Sequence, residues 1–133
     1  MEDQSIMLNL PELLPSIIAI SEHAGQAIMA IYNQPERWEL QQKVDNSPLT
    51  AADLAAHHLI EQALQQLTPS ISVLSEESDD VSQRHTWSRL WLVDPLDGTK
   101  EFVARTNDFT VNIALIVDNK PVLGVLHAPV YGV

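Results

Sequence analysis

The chain has 133 residues, 45% of them hydrophobic and 19% charged, so it is long enough to bury the core of one globular domain. It contains no cysteine, which excludes disulfides, thiolate metal sites and cysteine catalysis. The formal net charge of −11 opposes binding to a nucleic acid polymer, because the few basic residues do not cluster along the sequence.

The first predicted element is a helix that begins after Asn9, a suitable cap, and ends near Tyr32. Apolar residues recur at helical spacing along it, and the Pro-containing segment 33–35 stops it. No stretch approaches the ~20 apolar residues that a membrane span needs, and no basic leader precedes this helix. We therefore expect an intracellular, cytoplasmic protein.

A predicted half-exposed strand follows, because Trp38–Val44 alternates apolar and polar residues. A turn is predicted over residues 45–48, where Asp, Asn, Ser and Pro occur together. Thr50 then caps a second predicted helix, Ala51–Leu67, which is rich in Ala, Leu and Gln and contains no Gly or Pro.

Two short apolar runs predict strands, Ile71–Leu74 and Leu90–Val93, with a polar loop between them. The second run is apolar on both faces, which predicts a strand buried on both sides. A turn is predicted over Asp94–Thr99, and one helical turn over Lys100–Ala104.

The last predicted element is a hairpin, Phe109–Val117 with Pro121–Leu126, connected through residues 118–120. The order of elements separates helices from strands, which predicts an α+β fold of layered helices and a mainly antiparallel sheet. The hairpin is apolar on both faces, and two long helices are too few to cover both faces of the sheet. We expect a further part of the protein, or a partner, to cover the rest.

The segment Asp94–Thr99 is the first candidate site. Its two carboxylates, Asp94 and Asp97, are three residues apart and can converge on one point in a turn. Gly98 removes a side chain where backbone must approach a ligand, and Thr99 adds a hydroxyl at the start of a helical turn. Aspartates beside Pro and Gly are also ordinary turn-formers, so the segment alone leaves both interpretations open.

Two further carboxylate positions lie at the ends of predicted elements. Glu76 and Glu77 follow a strand, where adjacent like charges are costly without solvent or a cation. Asp53 lies in the first turn of a helix, where stabilisation of the helix dipole is the simpler explanation. Together with the Asp94–Thr99 turn they suggest a site for Mg²⁺, which prefers oxygen ligands.

The combination of motifs resembles the inositol monophosphatase family. Ser75–Glu77 followed by Trp91–Thr99 is similar to the metal-binding signature of these lithium-sensitive phosphatases. The segments 100–102, 109–116 and 124–130 are similar to one branch of the family, the CysQ-type 3'(2'),5'-bisphosphate nucleotidases. The resemblance covers nearly the whole chain, and it implies the N-terminal part of the sugar-phosphatase (inositol monophosphatase-like) fold.

The resemblance implies a set of metal ligands. In the family, the matching positions bind catalytic Mg²⁺, which here implies the carboxylates of Glu76, Asp94 and Asp97 and the main-chain carbonyl of Leu96. Glu77 matches a supporting position beside the first glutamate.

The resemblance also implies how water and phosphate are held. Thr99 pairs with Asp53 to polarise the attacking water, which makes these two the catalytic residues. The backbone N–H groups of Gly98 and Thr99 hold phosphate oxygens, and Glu76 and Asp97 are further implied substrate-binding residues.

The activity implied by the resemblance is Mg²⁺-dependent hydrolysis of the 3'-phosphate of adenosine 3',5'-bisphosphate, a by-product of sulfate assimilation, to AMP and phosphate. Lys100–Phe102 favours this substrate over inositol phosphates, and Lys43 matches a family position near the site, although a solvated lysine explains it equally well. Two alternatives stay open: an inositol- or sugar-phosphate phosphatase, and a non-catalytic metal-binding fragment. The resemblance also leaves open a peripheral association with the cytoplasmic face of the inner membrane.

Family members are about twice as long as this chain, and their second half supplies a further metal-binding Asp in a Trp-Asp motif. No Trp-Asp pair occurs here. We therefore expect residues 1–133 to be the N-terminal, metal-binding half of a phosphatase domain, weakly active or inactive alone and prone to self-association through uncovered sheet. The five histidines show no metal-binding spacing with one another, and we interpret them as surface or core residues.

Overall fold

The computed structural model describes residues 10–43, 48–75, 77 and 88–133 of the chain. Its α-helices are α1, Leu10–Tyr32; α2, Ala51–Leu67; and α3, Thr99–Ala104, and a 3₁₀ turn covers Pro35–Arg37. The strands are β1, Gln41–Gln42; β2, Pro48–Leu49; β3, Ser72–Ser75; β4, Arg89–Asp97; β5, Thr110–Val117; and β6, Lys120–His127.

A four-stranded sheet in the order β3-β4-β5-β6 forms the centre of the fold. The β3/β4 pair is parallel, whereas β4/β5 and β5/β6 are antiparallel. The short strands β1 and β2 pair separately and antiparallel. The predicted α+β architecture with a mainly antiparallel sheet is therefore confirmed.

Helices α1 and α2 pack on each other and cover one face of this sheet. That face presents Trp91 and Val93 from β4 and Ile113 and Leu115 from β5, all buried. These side chains alternate with exposed or half-buried neighbours, as the two-residue period of a strand requires. The hydrophobic core thus lies between the two long helices and one side of the sheet.

Helix α1 is long and apolar enough to cross a membrane by length and composition, with a mean hydropathy of 1.2 over its most apolar window. The expectation from the sequence that no stretch is long and apolar enough to span a membrane is therefore too strict. In the fold, its buried side chains join the hydrophobic core, among them Ile17, Ala24, Ile28 and Ile31. This is the packing of a core helix.

Within the described part of the chain, the opposite face of the sheet is exposed. Leu92 on β4 is 43% exposed, and Val122 and Leu126 on β6 are 41% and 65% exposed. A shallow groove of about 450 Å³ runs across this face, with Leu92 and Leu126 at its apolar part and Asp94 at its polar end. The prediction that β4 is buried on both sides is therefore wrong, while the expected shortage of cover for the sheet is confirmed.

The predicted strand over Trp38–Val44 is also wrong for most of its length. Within the described residues, only Gln41 and Gln42 are in strand conformation there. Trp38 instead ends the 3₁₀ turn and packs its ring on Tyr32 and Phe102, and its Nε1–H donates to the carbonyl of Ile31 at 3.0 Å. The predicted cap Asn9, Val44 of the predicted strand and residues 45–47 of the predicted turn lie outside the described part of the chain, while Pro48 of that turn is in strand β2.

Helix α2 occupies the predicted range, and the hairpin forms as predicted with a tighter connection. Lys120 pairs with Val117, so only Asp118 and Asn119 form the loop. Both have positive φ, 50° and 69°, which is the conformation of a type I′ turn.

Candidate active site

The first part of the site is the capped start of α2. Thr50 Oγ1 accepts from the backbone N–H of Ala52, and Asp53 Oδ2 accepts from both the N–H and the hydroxyl of Thr50, each at 2.8 Å. Asp53 is fully buried. A buried carboxylate is costly unless it is hydrogen-bonded, and the cap supplies two of its donors.

The third donor to Asp53 comes from a distant part of the chain. Thr99 Oγ1–H donates to Asp53 Oδ1 at 2.8 Å and lies 3.4 Å from the carbonyl oxygen of Leu96. One hydroxyl therefore joins the start of α2 to the segment that leaves β4. The structure brings together three residues that the sequence analysis assigned to one site.

The predicted turn Asp94–Thr99 has a different backbone from the one expected. Strand β4 continues through Asp97, and its pairing with β5 shifts register between Asp94 and Asp97. Such an irregularity re-aims side chains at a strand end, and it accommodates Pro95 within a paired strand. Asp94 is half-buried and Asp97 is exposed, while Pro95 and Leu96 between them are buried.

Asn112 contacts this segment and was not recognised as a site residue from the sequence. It is opposite Asp94 in β5, and its Nδ2–H donates to Asp97 Oδ2 at 3.0 Å. That bond orients the carboxylate of Asp97. The only signal that could have identified Asn112 is the β4/β5 register, which places this polar residue beside the two aspartates.

Gly98 separates β4 from α3 and cannot be replaced without strain. Its φ is +102°, a conformation that residues with a side chain rarely adopt. A Cβ at this position would also lie 3.0 Å from the carbonyl oxygen of Asp108 and 3.2 Å from Cα of Phe109. The close neighbours of Gly98 in the structure are thus the protein's own atoms, and the predicted approach of backbone to a ligand here stays a prediction.

The glutamate pair is described only in part, since Glu76 lies outside the described residues. Glu77 is described, and its carboxylate Oε2 is 2.9 Å from Nζ of Lys43 with only 6% of its side chain exposed. Its backbone N–H donates to Oγ of Ser75, the last residue of β3. Lys43 is therefore paired with the residue that the sequence analysis assigned a supporting role.

The donor chemistry of the described residues fits Mg²⁺. Asp94, Leu96 and Asp97 offer carboxylate and carbonyl oxygens within one four-residue segment, and hard cations such as Mg²⁺ prefer oxygen ligands. Asn112 orients the carboxylate of Asp97, and Thr99 at the end of the segment is joined to Asp53.

A capped helix start and an irregular strand end with two aspartates, linked by one hydroxyl, thus lie together on an α+β scaffold. The chain belongs to the inositol monophosphatase family, whose model matches residues 9–133. Members of this family are phosphatases.

Among curated proteins, the chain is 53% identical over 119 residues to the 3'(2'),5'-bisphosphate nucleotidase CysQ of Salmonella typhimurium, covering 89% of this chain and 48% of that protein. Among solved structures it is similar to CysQ from Bacteroides thetaiotaomicron, with 46% identity, a TM-score of 0.70, and coverage of 85% of this chain and 41% of that one. It is also similar to the extragenic suppressor protein suhB from Bartonella henselae, with 26% identity and a TM-score of 0.82. That match covers 91% of this chain and 46% of the suhB chain.

The chain thus spans about half the length of the curated relatives it matches. The resemblance to the nucleotidase branch and the inositol monophosphatase-like fold are confirmed.

Proposed function

We propose that this chain carries the metal-binding and water-orienting residues of a 3'(2'),5'-bisphosphate nucleotidase. The reaction is hydrolysis of the 3'-phosphate of adenosine 3',5'-bisphosphate to AMP and phosphate. Similarity to relatives that are named as this nucleotidase supports the substrate class. The observation that carries the proposal is the hydrogen bond from Thr99 to the buried carboxylate of Asp53, beside the two aspartates of β4.

Asp94, Asp97, the carbonyl of Leu96 and Glu76 would hold Mg²⁺. When bound, Mg²⁺ neutralises phosphate charge and lowers the pKa of coordinated water. The chain's own contribution is orientation: Asn112 holds the carboxylate of Asp97 in place. The backbone N–H groups of Gly98 and Thr99 would donate to phosphate oxygens.

Asp53 and Thr99 would orient the attacking water. The single hydroxyl proton of Thr99 is donated to Asp53, so Thr99 Oγ1 can only accept a hydrogen bond from a water beside it. A water that donates to Thr99 directs its lone pair elsewhere, as attack on phosphorus requires. The water's proton would move to Thr99 Oγ1 while the hydroxyl proton moves to Asp53 Oδ1. The water oxygen bonds to phosphorus as the bond from phosphorus to the ribose 3'-oxygen breaks, and the departing oxygen takes a proton from solvent. Because water attacks directly, no covalent enzyme intermediate is needed.

The test is phosphate release from adenosine 3',5'-bisphosphate with Mg²⁺ by the full chain and by two variants. Asp97→Asn removes a proposed ligand. Asp118→Asn is the matched control, because this exposed residue lies in the hairpin loop at a positive φ that Asn tolerates. We expect weak release from the wild-type chain that is inhibited by Li⁺, is lost in Asp97→Asn and is retained in Asp118→Asn.

Other outcomes identify the alternatives. Faster release from an inositol phosphate would favour an inositol- or sugar-phosphate phosphatase. Mg²⁺ binding that depends on Asp97 without release from any substrate would favour a non-catalytic, metal-binding half of a larger phosphatase domain.

The partners and location follow the same proposal. A nucleotide bisphosphate is the proposed small-molecule ligand and the cytoplasm the proposed location, with peripheral contact at the inner membrane an open alternative. We also propose that the isolated chain self-associates through the open face around Leu92, Val122 and Leu126, because exposed apolar surface favours association. Sedimentation over a range of concentrations measures this, and a monomer at every concentration would contradict it.

A further inference from the structure

A second group of potential metal ligands lies on α2, about two turns beyond the cap Thr50. It consists of His57, His58 and Glu61. One ring nitrogen from each histidine and one carboxylate oxygen all lie within 4.8 Å of one another. His57 is 6% exposed, Glu61 is half-buried and His58 is exposed, so the group lies at the protein surface with one side protected. Histidine spacing alone does not reveal this group, because its third member is a glutamate one helical turn from His57.

The orientation of His57 is fixed from β3. Its Nδ1 lies 2.9 Å from Oγ of Ser75, and its Nε2 lies 3.7 Å from Oε1 of Glu61. When Nδ1–H donates to Ser75, the lone pair of Nε2 faces the carboxylate of Glu61. A proton or a metal cation between these two groups would satisfy both of them, and the 3.7 Å separation leaves the nitrogen lone pair and the carboxylate directed at a common point. A metal-binding histidine usually donates its other ring N–H in this way to a fixed partner.

We propose that His57, His58 and Glu61 bind a divalent transition metal of the Zn²⁺ class, with water completing the coordination. Two imidazole nitrogens and one carboxylate suit Zn²⁺, whereas Mg²⁺ prefers an all-oxygen set. The site shares no ligand with the acidic segment of β4. The inference is therefore independent of the proposed phosphatase activity and extends the chain's chemistry to a second kind of ion.

The test is titration of the full chain with Co²⁺, followed by its visible absorption, and with Zn²⁺ in a competition assay, both in excess Mg²⁺. We expect one bound ion. His58→Gln and Glu61→Gln should weaken binding about tenfold or more, since loss of even an outer partner of a ligand costs about 10–100-fold. His23→Gln is the matched control, because His23 is an exposed histidine on α1 outside the group.

Three results would overturn the proposal: wild-type affinity in both His58→Gln and Glu61→Gln, loss of binding in His23→Gln, or loss of binding in Asp97→Asn. The last would mean that the ion binds to the acidic segment. Circular dichroism of each variant establishes that the fold is retained, which is expected because His58 is exposed.

Discussion

The hydrogen bond between Thr99 and Asp53 leads to a quantitative prediction about stability. Thr99→Val keeps the size and branching of the side chain and removes the hydroxyl. Asp53 Oδ1 then loses its donor, while both bonds from Thr50 to Oδ2 remain. A hydrogen bond to a charged group contributes about 1.5–3 kcal/mol, and because Asp53 is fully buried we expect solvent to restore little of it.

The expected change in melting temperature follows from chain length. An unfolding entropy of about 2.1 cal/mol/K per residue gives about 0.28 kcal/mol/K for 133 residues. A loss of about 2 kcal/mol therefore lowers the melting temperature by about 7 °C. Thermal unfolding followed by circular dichroism measures this shift, and urea unfolding gives the free energy independently.

Two control variants separate the hydrogen bond from other effects. Thr99→Ser keeps the hydroxyl and should retain most of the stability. Thr106→Val makes the same substitution at an exposed threonine and should change stability by no more than about 0.5 kcal/mol. Equal melting temperatures for Thr99→Val and wild type would refute the reasoning.

A double-mutant cycle with Asp53→Asn completes the test. An amide has one acceptor oxygen, so it cannot accept from donors that approach both carboxylate oxygens. Asp53→Asn should therefore cost more than Thr99→Val alone. The two changes should be non-additive by about 0.5–3 kcal/mol, because they remove the same bond. Strict additivity would contradict a direct interaction.

Two further predictions concern the surroundings of the site. Gly98→Ala should destabilise the fold by about 1–3 kcal/mol in urea unfolding, because its φ is +102° and a Cβ would lie 3.0 Å from the Asp108 carbonyl. Gly124→Ala, with nothing within 4 Å of its added Cβ, should be near neutral, and equal costs would contradict this account. The pKa of Tyr131 should exceed 10.0, because its hydroxyl donates to the Asp108 carboxylate, whose charge also disfavours the phenolate. The hydrogen bond from Tyr131 to Asp108 therefore stabilises the folded state fully below the ordinary tyrosine pKa. This contribution is lost as pH rises through the raised pKa of Tyr131. Spectrophotometric titration should find a lower pKa in Asp108→Asn, and an unchanged value would exclude Asp108 as the cause.

Local signals determined which elements could be predicted from the sequence. Helix α2 was predicted with correct limits because Thr50 is a strong cap and the segment contains no Gly or Pro. The alternation around Trp38 indicated a strand, but it arises because Trp38 packs into an aromatic cluster with Tyr32 and Phe102. Tertiary packing of this kind leaves no local signal.

The site residues that belong to specific motifs could be predicted from the sequence. Asn112 could not, because the pairing of β4 with β5 places it beside the aspartates. Asp53 and Thr99 are 46 positions apart, and the family resemblance placed them together. The geometry around Asp94 and Asp97 was misjudged, because Pro and Asp are typical of turns and an irregular strand has the same composition. Leu92 was expected to be buried because an apolar run does not reveal which face of a sheet is covered.

The backbone amide of Thr50 can serve as a spectroscopic probe of the site. Its N–H donates to the carboxylate that also receives the hydroxyl of Thr99. Opening of the first turn of α2 therefore also releases the carboxylate that joins the two halves of the site, whereas helix ends commonly fray on their own. Hydrogen exchange at this single position would measure how often this cap opens in the folded protein.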